Sequence, residues 1–227
     1  DRDEVLAGIA VGTTVTAKIT PKSLTLSGVT ASNKTYDGGT SATISSFGSL
    51  AGVLAADAAN VSLVSSSASA SFADANVGAG KAVTVLASSL GLSGTKASNY
   101  QMVTNASSTA NITAKAVTLT APQVTRAYDG TTNYTALAPD LAALSAQLGI
   151  AGDSVTGITL AYLDKNVGTN KTVTATGATL SDGNNGLNYN LSYANSSVSA
   201  ITPKAITLTG ITADNKVYDG TTTATVN

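Results

Sequence analysis

The sequence predicts a mostly-β protein built from tandem domains, and three observations carry that prediction. Short stretches alternate apolar and polar residues with a period of two, as in Leu24-Thr25-Leu26, Val117-Thr118-Leu119 and Ile206-Thr207-Leu208, which marks half-buried strands. Turn signals rich in Gly, Asn and Asp separate such stretches at the short, even spacing of an all-β module. One motif also occurs three times: Lys34-Thr35-Tyr36-Asp37-Gly38-Gly39-Thr40, Arg126-Ala127-Tyr128-Asp129-Gly130-Thr131-Thr132 and Lys216-Val217-Tyr218-Asp219-Gly220-Thr221-Thr222. Its tyrosines are 92 and 90 residues apart, a period the size of a domain and too long for a solenoid rung. The expected architecture is tandem β-sandwich-like domains in an elongated rod, with at most one short helix each. A β-grasp-like sheet packed by its helix is the alternative.

Taken in order, residues 5–20 match the closing strand of the later repeats, and residues 1–20 are expected to end a preceding copy. Two whole domains are expected at 21–113 and 114–202, and residues 203–227 begin a further copy and stop after two strands. The junctions Pro21-Lys22, Ala114-Lys115 and Pro203-Lys204 are short, which predicts stiff coupling between neighbours. Within each domain an opening strand leads to the Tyr-Asp-Gly turn, where Tyr continues a strand, Asp-Gly reverses the chain and Thr starts the next strand. A helical stretch is expected next, at Ser49–Leu54 in the first domain and Pro139–Leu148 in the second. Leu141, Leu144 and Leu148 share one helical face there, and Gly149 sits at the stop. A second landmark, Asn76-Val77-Gly78 followed by Lys81-Ala82-Val83-Thr84, repeats as Asn166-Val167-Gly168 and Lys171-Thr172-Val173-Thr174 and reads as a turn entering a strand. Asn99-Tyr100 and Asn188-Tyr189 then precede the closing strands.

Composition removes several function classes. Charged residues make up 11 % of the chain and the net charge is -1, so no basic field is offered to nucleic acid or to anionic lipid. No apolar run approaches the roughly 20 residues of a membrane-spanning helix, and neither nucleic-acid binding nor membrane insertion is expected. There is no histidine, no cysteine and one glutamate, Glu4, which excludes hydrolytic triads, thiol nucleophiles and histidine metal sites. Paired aspartates remain, but Asp37, Asp129, Asp182 and Asp219 each precede glycine and read as turn residues, so no enzyme is expected.

The four recurring motifs, Ile-Thr-Pro-Lys-x-Leu/Ile-Thr-Leu, Lys-x-Tyr-Asp-Gly-x-Thr, Asn-Val-Gly-x-x-Lys-x-Val-Thr and Asn-Tyr, stand in one order at one spacing over essentially the whole chain. In this the sequence resembles the YDG repeats of large bacterial surface adhesins of the filamentous-haemagglutinin type. The resemblance implies extracellular tandem β-domains, on the bacterial surface or secreted, in a long exported protein serving attachment or biofilm cohesion. The implied function is a stalk or spacer that projects a distal binding region. Its partners would be neighbouring repeats of the same chain and, through the parent protein, an exopolysaccharide or a host matrix surface. The second copy departs from the pattern at Ala121-Pro122, where the others have Gly28 or Gly210, and at Arg126, which replaces a lysine; a re-shaped loop is expected.

The alternative function is that the repeats themselves bind a polysaccharide or matrix ligand weakly and multivalently. Tyr36/Tyr128/Tyr218, Phe72/Tyr162 and Tyr100/Tyr189 fill equivalent slots and are expected in the separate cores. Phe47, Tyr134 and Tyr193 fall outside that pattern, and Tyr134 and Tyr193 are the candidate ligand contacts. No cofactor is expected. Calcium is the one candidate, and would require Asp57 and Asp74, or Asp153 and Asp164, to converge, since no Asp-x-Asp-x-Asp-Gly loop is present. The many Asn-x-Ser/Thr sequons, Asn33, Asn105 and Asn111 among them, follow from the Ser/Thr content and are read as unmodified.

Overall fold

Residues 18–227 are described by a computed structural model. Apart from residues 18–20, which are exposed and irregular, the expected tail of a preceding copy lies outside the described residues. The described chain is mostly β and divides into two compact units between Lys115 and Ala116.

Among its described residues unit 1 contains eleven strands: β1 (Lys22–Ser27), β2 (Thr30–Ala31), β3 (Lys34–Thr35), β4 (Ile44–Ser46), β5 (Ser49–Ala51), β6 (Ser62–Val64), β7 (Ala70–Phe72), β8 (Gly78–Val85), β9 (Gly91–Ser93), β10 (Tyr100–Met102) and β11 (Ala106–Thr113). The opening strand β1 lies between β10, to which it runs parallel, and β5, to which it runs antiparallel. A second sheet has the order β3-β11-β8-β7. Its parallel step joins Lys34 and Thr35 to Ile112 and Thr113, so the first strand of the Tyr-Asp-Gly turn is held by the end of the closing strand. Alternation along β8 and β11 buries Val83, Val85, Ala110 and Ile112, as period-2 strands with one covered face require. Leu24, Val61 and Tyr100 form a further cluster with Leu50, Val53, Leu92 and Met102 packed against them.

Unit 2 contains β12 (Lys115–Thr120), β13 (Thr125–Ala127), β14 (Asn133–Tyr134), α1 (Ala138–Leu148), β15 (Ser154–Tyr162), β16 (Gly168–Ser181), β17 (Tyr189–Ala194) and β18 (Ser196–Thr202). Its main sheet has the order β13-β18-β16-β15-β14, and β12 pairs with β17. The parallel step recurs, with Arg126 and Ala127 beside Ile201 and Thr202. Leu160, Tyr162, Val173, Ala175 and Ile201 form the core with Ala121 and Val124. Where unit 1 turns through Gly28, the Ala121 amide instead donates to the Ala194 carbonyl at 2.9 Å and its methyl enters that core. This is the re-shaped loop.

The helix of unit 2 forms where the leucine spacing placed it. Pro139 stands in its first turn, the Asp140 carboxylate accepts the Leu137 amide at 2.9 Å, and Gly149 ends it in the left-handed conformation. Leu144 and Leu148 are fully buried. Unit 1 differs. Ser49–Ala51 is a strand, because its backbone pairs with Thr25–Ser27, and the helical turn comes later as a 3-10 helix at Ala55–Asn60. Unit 2 fills the equivalent edge with a side chain. The Gln147 amide accepts from the Thr120 N–H at 2.8 Å and donates to the Thr120 carbonyl at 3.2 Å, copying a strand partner from the helix.

The third copy is a hairpin only. Ala213 bridges Val226 as Ala31 pairs with Ile44, and the Asp214 amide donates to the Thr225 carbonyl as that of Ser32 does to Thr43. The strand expected at Ile206–Leu208 is not formed among the described residues; its counterparts β1 and β12 form by pairing with β5, β10 and β17.

Candidate functional site

The recurring aspartates share one geometry. A side-chain oxygen of Asp37, Asp74, Asp129, Asp164, Asp182 and Asp219 accepts the backbone amide two residues ahead at 2.8–3.0 Å. Each therefore closes an Asx turn, the local structure that Asp forms most readily. Five of the six also receive a cation from across the turn.

In the first motif Lys34 reaches forward three residues, its Nζ lying 2.7 Å from Asp37 Oδ1, 2.6 Å from the Gly39 carbonyl and 3.2 Å from that of Ser41. Arg126 grips Asp129 and both oxygens of Thr131 in the same way, and Lys216 binds Asp219 at 2.8 Å and Thr221. The charged groups of the first two cations lie over an aromatic ring, with Lys34 Nζ 5.6 Å from the centre of Phe72 and the Arg126 guanidinium 5.2 Å from that of Tyr162. Arginine preserves the latch because its fork reaches the carboxylate and the Thr131 carbonyl together. The hairpin of the third copy keeps the latch with no closing strand beside it, so the device is local.

In the second landmark the cation reaches backward. Lys81 Nζ lies 2.5 Å from Asp74 Oδ1, and Lys171 pairs with Asp164. Gly78 gives the Lys81 stem room, since a Cβ there would lie 3.2 Å from Lys81 Cδ, whereas one on Gly168 would meet Lys171 Cδ at an ordinary contact distance of 3.5 Å. Asn76 and Asn166 supply the amides that the two aspartates accept.

The charges respond accordingly. Lys34, Lys81, Lys171 and Lys216 hold Asp37, Asp74, Asp164 and Asp219 below the usual carboxylate range. Asp129 is lowered first by the Thr131 amide. Asp182 is nearly buried. Burial pushes its pKa up, but the amides of Gly186, Asn184 and Asn188 outweigh burial and leave it lowered. Asn188, wholly buried, donates its side-chain amide to the Asp182 carbonyl at 3.0 Å.

The tyrosine slots separate into two kinds. Tyr100 and Tyr189 are buried and donate their hydroxyls to Asp57 at 2.7 Å and Asp153 at 2.6 Å; the Asp57 carboxylate raises the Tyr100 pKa. Phe72 and Tyr162 are buried too. The turn tyrosines grade outward. Tyr36 is 5 % exposed, Tyr128 37 % and Tyr218 91 %, so the expectation of a core role holds for the first and fails for the other two. The amides of Tyr36 and Tyr128 are bound by Thr113 and Thr202, the last residues of β11 and β18. Both turn tyrosines are thus tied to the end of the closing strand, and the ring is covered in unit 1 and partly open in unit 2. Gly38, Gly130 and Gly220 all take the left-handed conformation that the turn demands.

Of the candidate ligand contacts, Tyr134 is half-buried. It packs edge-on against Tyr162 at 6.4 Å and donates its hydroxyl to Asp140 at 3.1 Å; burial, then Asp140, pushes its pKa up to about 12. Tyr193 uses its hydroxyl to accept the Ala178 amide at 2.9 Å. Asn33, Asn105 and Asn111 accept backbone amides of Asn111, Ala87 and Gly80. Of the aspartates that calcium would need together, Asp57 and Asp153 accept tyrosine hydroxyls while Asp74 and Asp164 pair with lysines. Among the described residues no three acidic side chains gather as a metal site would.

Residues 20–110 and again 113–197 match the YDG domain. The chain belongs to the YDG domain family. No curated protein and no solved structure matches it. In these YDG domains the namesake tyrosine, aspartate and glycine are a residue tied to the closing strand, a turn closer and a left-handed hinge. The cations that complete both latches carried no role in the sequence reading. Their signal was present in the fixed offsets, three residues before one aspartate and seven after the other.

Proposed function

We propose that the two YDG domains are spacer modules of a bacterial surface or secreted adhesin, holding a distal binding region away from the cell, and that they transform no substrate. The observation that carries this reading is the use to which the repeated polar residues are put. Every aspartate of the two motifs, and the cation paired with it, is engaged in holding a backbone turn, and no motif residue is left aimed at a shared empty point. Such residues recur because each separate small fold needs its turns fastened. The extracellular setting rests on the resemblance to adhesin repeats. A surface of Ser, Thr and Asn with little net charge suits modules that must stand beside one another without adhering.

The rival reading, in which the repeats bind a polysaccharide, leaned on Tyr134 and Tyr193, and both hydroxyls are engaged inside unit 2. A glycan array and small-angle scattering on the full chain test the proposal together. An elongated particle that retains no glycan is expected. Specific retention lost on Tyr193→Ala, or a particle as wide as it is long, would overturn it.

A further inference from the structure

We infer that Asn185, followed by Gly186, is a self-modification site guarded by the Asp182 carboxylate, and that deamidation there proceeds only when the loop joining β16 to β17 opens. This inference stands apart from the spacer reading and does not need it.

The susceptible pair is unique, since Asn185-Gly186 is the one Asn-Gly sequence in the chain. Deamidation begins when the backbone nitrogen after an asparagine gives up its proton and attacks the side-chain carbonyl carbon. A C–N bond forms, the side-chain nitrogen leaves as ammonia, and a five-membered succinimide results. Water then opens the ring at either carbonyl and leaves aspartate or isoaspartate, with no change of oxidation state. A following glycine favours the attack, because no Cβ crowds the nitrogen and the backbone turns freely. Asn185 is also exposed, so its carboxamide is open to water.

The nucleophile, however, is already engaged. The Gly186 N–H donates to Asp182 Oδ1 at 2.8 Å; the same oxygen accepts the Asn184 amide at 2.9 Å, and Oδ2 accepts that of Asn188 at 3.2 Å. Asp182 is nearly buried, and those three amides hold its pKa low and keep it ionised. An anion set against the Gly186 N–H opposes loss of that proton, because deprotonation would bring two negative charges into contact. Two further bonds tie the loop, from the Leu187 amide to the Asn184 carbonyl at 3.0 Å and from the Tyr189 amide to the Gly186 carbonyl at 3.2 Å. The nitrogen therefore leaves the carboxylate only by a concerted local opening. Unit 1 supplies the comparison. Its counterpart segment, 94–99, contains neither Asn-Gly nor aspartate, and is fastened by the Lys96 amide to the Asn60 carbonyl instead. Susceptible pair and guarding carboxylate occur in the same loop.

The test follows deamidation at Asn185 by peptide mapping and mass spectrometry in mildly alkaline buffer, with the full chain folded and in urea. Amide hydrogen exchange at Gly186 is measured in the same folded sample. Deamidation is expected to be slower in the folded chain by about tenfold or more, the factor that one charge-assisted hydrogen bond supplies. Exchange at Gly186 is expected to be slowed by the same factor, since both reactions need the same N–H released. In Asp182→Ala, which removes the acceptor without creating a second Asn-Gly, the rate is expected to approach that of the unfolded chain. Equal rates in the folded and unfolded chain would overturn the inference, as would an unchanged rate in a folded Asp182→Ala. Deamidation much faster than the protection of Gly186 permits would also overturn it, and would make Asp182 a general base acting in the closed loop. That last comparison uses the wild-type chain alone and stands even where the variant fails to fold.

Discussion

The ammonium of Lys81 lies 2.5 Å from the same Asp74 oxygen that accepts the Asn76 amide at 2.8 Å. One carboxylate oxygen thus closes a turn and receives the cation that crosses it, and Gly78 leaves room for the lysine stem to do so. The relationship assigns the Asp74 pKa to its neighbour. In Lys81→Met the stem is kept and the charge removed, so the Asp74 carboxyl, followed by carbon NMR, is expected to titrate closer to the ordinary value of about 3.9. The paired carboxylate is about half exposed, so thermal stability at neutral pH is expected to move little. An unchanged Asp74 titration would show that the Asn76 amide alone sets it.

Acid should unfasten the latches as a group. Asp37, Asp74, Asp129, Asp164, Asp182 and Asp219 all have lowered pKa values in the folded chain. A carboxylate held low contributes stability that is present above its unfolded pKa and is lost as pH falls through the folded one. Denaturant midpoints are therefore expected to be flat from pH 7 down to about pH 5 and to fall steadily below about 3.9. A decline centred between pH 6 and 7 would contradict this, since the chain has no histidine to titrate there.

How far the sequence reached depends on the range of the interaction. Asp-Gly turns, the Leu141/Leu144/Leu148 helix face and the opening strands of both units were legible because each is written within about ten residues. Ser49–Ala51 was misread as helical because its conformation is set by pairing with Thr25–Ser27, a tertiary contact that overrides weak local preference. The exposure of Tyr128 was hidden for a similar reason. Its motif matches that of Tyr36, and what differs is the covering of the ring, which no local pattern records. The lysine and arginine latches were visible as fixed offsets, but the offsets acquire meaning only once the turn brings the two ends together.

Gly94 should be irreplaceable for a steric reason beyond its backbone angle. Its φ is +109° and a Cβ there would lie 2.2 Å from the Asn60 carbonyl oxygen, which is backbone and cannot swing aside. Gly152 has a similar φ of +95° and nothing within 4 Å. Gly152→Ala thus measures the conformational penalty alone, while Gly94→Ala adds the collision. Loss of more than about 1 kcal/mol is expected for Gly94→Ala, and a smaller loss for Gly152→Ala, both read from urea unfolding of the full chain. Equal losses would remove the collision from the account.

Tyr162 and Phe72 occupy the same slot beneath the two cations, and they differ by one hydroxyl. In unit 2 that hydroxyl lies 2.9 Å from the Ala200 carbonyl and 3.1 Å from that of Val124, sharing a single proton between β18 and the loop before β13. Burial raises its pKa. The Val124 carbonyl also accepts the Ala200 amide at 3.1 Å, so removing the hydroxyl does not orphan it. Tyr162→Phe is therefore expected to cost only about 1 kcal/mol, the net worth of one hydrogen bond. Tyr162→Ala removes the ring that supports Arg126, packs against Tyr134 and fills the core of unit 2, and about 3–5 kcal/mol is expected. If the two variants proved equally harmful in thermal unfolding, the hydroxyl and not the ring would be what holds the slot, and the equivalence with Phe72 would fail.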